Sequence, residues 1–202
     1  MIKRKKRKKN NFDLKNEYKL SWNYIKDSKN FIWAIVGVFF LFALFGYFFP
    51  ASLELEETIM NFLKELLAKT ANFNQWEMTK FLFLNNLQSS FFGWILGFGL
   101  GIFPVLSSMT NGYVLGFVAS KTVEEAGILV LWRLFPHGIF ELPAVFISLG
   151  LGLKLGTFIF RKKKLKSFKN YFWGGFRTFI FVVIPLLVIA AIIEGALIFV
   201  FG

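Results

Sequence analysis

A run of 19 residues without one charge, residues 31–49, restricts this chain more than any other feature. At 1.5 Å per residue, a helix of that length reaches about 28 Å, close to the ~30 Å hydrocarbon thickness of a bilayer. Pro50 terminates the run. The run is too long and too far from the N-terminus for a typical cleaved signal peptide and reads as an uncleaved signal anchor. Further apolar stretches cover residues 81–103, 104–120, 127–160 and 178–200. The resulting fold class is all-α, a polytopic membrane helix bundle of about five membrane segments. With 55% hydrophobic and only 18% charged residues, a soluble globular enzyme is excluded. The chain has no cysteine and a single histidine, so disulfides, thiolate sites and multi-histidine metal centres are excluded as well. No metal, cofactor or catalytic group is expected.

Charge orients the segments. Residues 1–30 hold eleven Lys/Arg and residues 161–169 another six, whereas Lys64, Lys69, Lys80 and Lys121 are the cations assigned to the opposite side. The positive-inside bias puts the N-terminus and the basic loop 161–170 in the cytoplasm, the external segment 51–80 outside, and the C-terminus outside after five crossings. This defines a basic cytoplasmic tail with an interfacial helix (1–30) and an integral membrane domain (31–202) in the cell membrane. The tail residues Lys3–Lys9 are expected to touch anionic lipid rather than nucleic acid. Leu14, Tyr18, Trp22 and Ile25 fall within about 80° on a helix, as an amphipathic surface helix requires. Leu55, Ile59, Phe62, Leu63 and Leu66 form a similar face outside, with Glu54, Glu56 and Glu57 near that helix's N-terminus.

Small residues recur at every fourth position in three segments. Ser89, Gly93, Gly97 and Gly101 mark the second, and Ser108, Gly112, Gly116 and Ser120 the third. Ala144, Ser148, Gly152 and Gly156 mark the fourth. Lipid tails are as apolar as leucine, so membrane helices associate by close backbone approach, which such ladders permit. Segments two to four are expected to form the inner bundle, with segment one and much of segment five facing lipid. The same ladders leave a homo-oligomer open.

Polar groups inside apolar runs cost roughly 3 kcal/mol or more when charged, so each calls for a partner or a purpose. In a continuous helix Arg133, His137 and Glu141 stand at i, i+4 and i+8, but Pro136 and Pro143 oppose continuity. The fourth segment is therefore read as broken near Pro136, with His137 and Glu141 in the first turns of the helix beyond. Asn85, Asn86, Gln88 and Ser89 on the second segment, Asn111 at the start of the third, and Glu194 near the outer end of the last are the expected companions. The cluster is either polar glue for a kinked helix or a site for a solute, ion or proton. Neither a His-Glu-x-x-His zinc motif nor a Gly-x-Ser-x-Gly elbow is present.

The run Pro136-His137-Gly138-Ile139-Phe140-Glu141-Leu142-Pro143, with Asn85-Asn86 and Asn111-Gly112, resembles the stage II sporulation protein M family of membrane proteins. The resemblance spans roughly residues 31–200. It implies a polar core of Asn85, Asn86, Asn111, Gly112, His137, Gly138, Glu141 and Pro143. It also implies a multi-spanning anchor that, in sporulating bacteria, works in engulfment beside peptidoglycan-degrading enzymes. Two functions follow as expectations. One is a non-enzymatic membrane scaffold with membrane or envelope protein partners; the other is a small solute, ion or lipid transporter with its site around His137 and Glu141.

Overall fold

The computed structural model describes residues 13–49, 51–129, 131 and 135–201, with side chains except those of 135–137, 140 and 199–201. The basic tail Lys3–Lys9 and Arg133 lie outside the described residues. All regular structure among the described residues is helical. Helix α1 (Leu14–Phe48) is capped by the Asp13 carboxylate, which accepts from the Lys15 amide at 3.1 Å. It is one unbroken helix of 35 residues, about 52 Å long, so the boundary drawn at residue 30 falls inside it. Helix α2 (Leu53–Thr70) starts at Ser52 and carries Glu54 and Glu56 in its first turn, where the helix dipole favours carboxylates. Helix α3 (Gln75–Ile95) opens with a reciprocal capping box between Asn74 and Glu77.

A tight reversal separates α3 from α4 (Ile102–Ala126). Leu100 and Gly101 both take positive φ there, 64° and 73°. The turn thus lies ahead of Pro104, which is buried in the first turn of α4 where a missing N–H costs nothing. Helix α5 (Phe135–Gly156) begins one residue before Pro136, so the interruption precedes this proline instead of following it. Pro143 sits inside α5. Helices α6 (Lys164–Thr178) and α7 (Ile184–Phe201) are joined by a π-helical turn, Phe179–Val183. The wide turn lies where Pro185 withholds its amide from the ladder.

Helix α5 is the hub, touching α1, α3, α4, α6 and α7. It runs parallel to α3 and antiparallel to α1. Ser90 meets Ser148 and Gly97 meets Gly152 on the first seam, whereas Ile32 meets Gly150 and Phe39 meets Phe146 on the second. Helices α1 and α4 form the largest helix pair. They are parallel and in four-residue register: the Ser108 hydroxyl donates to the Ile35 carbonyl at 3.0 Å, and Gly112 and Gly116 abut the carbonyls of Phe39 and Ala43. Segment one is therefore not confined to the lipid side. Ile35, Phe39 and Gly46 are buried in the bundle, while Trp33, Leu41, Leu44 and Phe48 stay exposed on the other face. Helix α7 likewise packs on both α3 and α5.

Four stretches are long and apolar enough to cross a membrane: Leu14–Phe48, Ile102–Ala126, Glu141–Phe160 and Lys164–Ile198. Helix α3, part of the expected second segment, is not among them, because Glu77, Lys80, Asn85, Asn86 and Gln88 dilute its apolar content. It is held between α5 and α7 along its length. A methyl added at Gly116 would overlap the Ala43 carbonyl, whereas one added at Gly37 meets nothing within 4 Å. Gly116→Leu should therefore destabilise the detergent-solubilised protein by about 1–3 kcal/mol or more. Gly37→Ala should be neutral or stabilise by about 0.5–1 kcal/mol. Thermal unfolding monitored by circular dichroism tests the pair, and equal midpoints would contradict the α1–α4 contact.

Candidate functional site

The α3–α5 seam is built from residues too small to hold the helices apart. A Cβ on Gly97 or Gly152 would overlap backbone across the seam, and one on Gly156 would strike the Gly101 amide. Close approach brings the Ser148 hydroxyl to 2.6 Å from the Ser90 carbonyl in a buried hydrogen bond. Trp94 fills the inner end, 1% exposed, stacked on Phe179 at 5.7 Å between ring centres.

The expected polar residues lie outward from that point. Asn86 stands one turn from Ser90 on the same stripe of α3, and it is half-buried. Glu141 stands two turns from Ser148 on the facing stripe of α5, also half-buried and engaged rather than free. The two stripes thus turn Asn86 and Glu141 toward one seam. His137 occupies the first turn of α5, four residues before Glu141. Asn85 and Gln88 are exposed on the flank of α3 instead of being drawn into the seam. Asn111 lies ten residues into α4, not at its start, and is exposed; its amide donates to the Ser107 carbonyl at 2.8 Å. Arg133 falls outside the described residues.

Glu194 belongs beside this group, as its place inside the last apolar run leads one to expect. Helices α5 and α7 are antiparallel, with Ala144 and Leu151 packed among Leu187, Val183 and Phe179. Extending that register brings Glu194 level with the first turn of α5. Gly195 abuts the Thr79 hydroxyl of α3, which fixes Glu194 at the outer end of all three helices. It too is half-buried and engaged. Among the described residues, no three His, Cys, Asp or Glu side chains converge as a metal set.

The opposite end of α5 carries a group that the sequence reading passes over. Lys154 is only 6% exposed. Its ammonium donates to Ser28 Oγ at 2.9 Å and to the Asp27 carbonyl at 3.4 Å. It also lies 4.0 Å from the centre of the Tyr24 ring and 5.4 Å from that of Tyr171. A desolvated cation–π contact contributes about 2 kcal/mol, so this lysine ties α5 to α1 and α6. The available signal is simple: Lys154 stands two residues after Gly152, inside an otherwise apolar run. Nearby, Arg177 Nε donates to Glu17 Oε2 at 2.6 Å, and Tyr24 donates to the Tyr171 carbonyl at 3.1 Å. Helix α6 is thus clasped to the N-terminal half of α1.

A bundle with four bilayer-length helices and lipid-type side chains over its outer faces is a multi-pass membrane protein. The family model for stage II sporulation protein M matches residues 35–197, and the chain belongs to that family. No curated protein and no solved structure is significantly similar to it. The absence of native cysteine allows the α3–α5 register to be read directly. A Ser90→Cys, Ser148→Cys pair should oxidise readily and resist thiol alkylation, because the two positions are joined by the 2.6 Å hydrogen bond. With alkylation carried out after denaturation, because position 148 is buried in the fold, a Gly37→Cys, Ser148→Cys pair should be fully alkylated; the reverse pattern would refute the parallel register.

Proposed function

We propose that this protein is a non-enzymatic, multi-spanning scaffold of the stage II sporulation protein M type, which assembles membrane or envelope protein partners in the cell membrane. The N-terminus and the basic α6 end lie in the cytoplasm, and the C-terminus lies outside after five passes, α3 included. The charge distribution supports this orientation. Lys162, Lys163, Lys164, Lys166 and Lys169 gather at the N-terminal end of α6, which runs antiparallel to the polar first half of α1 and lies toward its Asp27 region. At the other end, Lys121 pairs with Glu56 at 2.7 Å.

One observation carries the scaffold reading: Asn85 and Gln88 are exposed beside the seam, at the level where α3 packs against the membrane-length helices. A side-chain amide facing hydrocarbon without a partner costs roughly 4–8 kcal/mol on a water-to-cyclohexane basis. A helix of another protein that offers amide or hydroxyl groups relieves that cost, whereas lipid tails do not. Asn111, Ser107 and Thr110 add a second polar strip on α4.

Glu141 and Glu194 support a second reading, transport of a small solute, ion or lipid past His137 and Glu141. Both are half-buried carboxylates at one end of a three-helix seam, and ionisable groups at such depth are the kind that line solute and proton paths. Crosslinked partner capture from native-host membranes separates the two readings. The double variant Asn85→Leu, Gln88→Leu should lose its captured partner at unchanged folded yield, while Glu141→Gln keeps it. Retention of a stoichiometric partner by the double variant would remove the amide face from the scaffold reading. A co-purifying solute lost only in Glu141→Gln would favour transport.

A further inference from the structure

An open cavity of about 430 Å³ lies between the N-terminal half of α1 and α6, far from the Asn86–Glu141 seam. Asn23 and Asp27 form one wall; Lys169, Asn170, Trp173 and Arg177 form the other; and Tyr24 and Leu20 complete the lining. The two helices run antiparallel here, since Tyr24 meets Tyr171 and Gly174 while Glu17 meets Arg177. Asp27 therefore lies toward the Lys169 end. Arg177, held through Nε by Glu17, lies at the other. A guanidinium engaged only through Nε keeps its two Nη groups for a second acceptor.

We propose that this cavity binds the headgroup of a zwitterionic glycerophospholipid of the phosphoethanolamine class. The charges argue for a zwitterion. Lys169 and Arg177 supply two cations for a phosphodiester, and Asn23 and Asn170 supply neutral donors beside them. Asp27 stands in the lining beside Lys169 and Glu17 lies behind Arg177, while the buried Lys154 ammonium is already held by Ser28 and the Tyr24 ring, so a purely anionic headgroup meets opposing carboxylates while an ammonium meets a partner. The surroundings argue for a lipid as the source. Trp173 in the lining is 61% exposed, and Trp22, on the other face of the same stretch of α1, is 55% exposed. Exposed tryptophans beside lysines mark the interfacial zone, where headgroups reside and acyl chains lie alongside the bundle. The site is formed by ordered helices and is separate from the Lys3–Lys9 tail. It does not depend on which partners or solutes the protein handles.

The test uses the full chain, delipidated in detergent and titrated by native mass spectrometry. The probes are dioleoylphosphatidylethanolamine, dioleoylphosphatidylglycerol, dioleoylglycerol and free O-phosphoethanolamine. One phosphatidylethanolamine should bind per chain, about tenfold more tightly than phosphatidylglycerol, with dioleoylglycerol weaker than both. Asp27→Asn should erase the preference for phosphatidylethanolamine. Lys169→Gln, at an exposed position where folding is not at risk, should weaken both phospholipids about tenfold, whereas Lys162→Gln, remote from the lining, should change neither. Phosphatidylglycerol binding as tightly as phosphatidylethanolamine would overturn the proposal, as would equal retention of dioleoylglycerol. So would displacement of the lipid by equimolar free O-phosphoethanolamine, which would mark a soluble-ligand pocket, or an equal loss in Lys162→Gln, which would mark general surface charge.

Discussion

Everything in this bundle hangs on backbone meeting backbone along α5. Inside lipid no hydrophobic force draws one helix to another, so association depends on how many atoms reach van der Waals distance and on the hydrogen bonds made across the contact. Helix α5 presents Gly150 to α1, and Gly152 and Gly156 to the end of α3 and the turn beyond it, with no side chain to hold any of these neighbours off. Two buried serine-to-carbonyl bonds, Ser148 to Ser90 and Ser108 to Ile35, occur on the closely approached seams where a hydroxyl can reach a neighbouring carbonyl. Larger side chains at the glycines would move the helices apart and remove both kinds of contact together.

That dependence explains how α3 is accommodated despite its composition. A helix bearing Asn85, Asn86 and Gln88 is a poor candidate to cross hydrocarbon alone, and its apolar content is too low for it to stand with the four bilayer-length helices. Its glycines admit α5 closely enough to take up one stripe, and its aromatic residues Phe83, Phe91 and Trp94 pack among Phe179 and the residues of α7. The flank holding Asn85 and Gln88 stays exposed among the described residues. Packing thus sorts the amides into two groups that composition alone does not distinguish.

The helical class, the apolar runs and the family were legible from residue types alone, because run length, charge placement and the Pro136–Pro143 motif are local properties. Which helix each ladder meets was not legible. Gly112 and Gly116 are four residues apart whether they face α3 or α1, and nothing local states that they abut the carbonyls of Phe39 and Ala43. The continuity of α1 was hidden for a related reason. Its polar first half and apolar second half differ in composition but not in helix-forming character, and no proline or glycine pair stands between them. Lys154 was passed over because a single lysine in an apolar run reads as a blemish until the rings of Tyr24 and Tyr171 are seen on either side of it. These tyrosines lie far from it in sequence, one before it and one after it.

The two ends of α5 complete the physical picture, because they manage charge in opposite ways. At the Lys154 end a cation is withdrawn from water and given a hydroxyl, a carbonyl and aromatic faces in exchange, so its contacts are fixed by three helices at once. At the Glu141 end two carboxylates, Glu141 and Glu194, lie half-buried on separate helices with Asn86 nearby in register. A cation among aromatic rings needs no mobile counter-charge and acts as a clasp. The carboxylates are engaged as well, but remain only half-buried. One helix therefore carries a closed electrostatic contact where α6 is fastened and a half-buried carboxylate, Glu141, toward its other end.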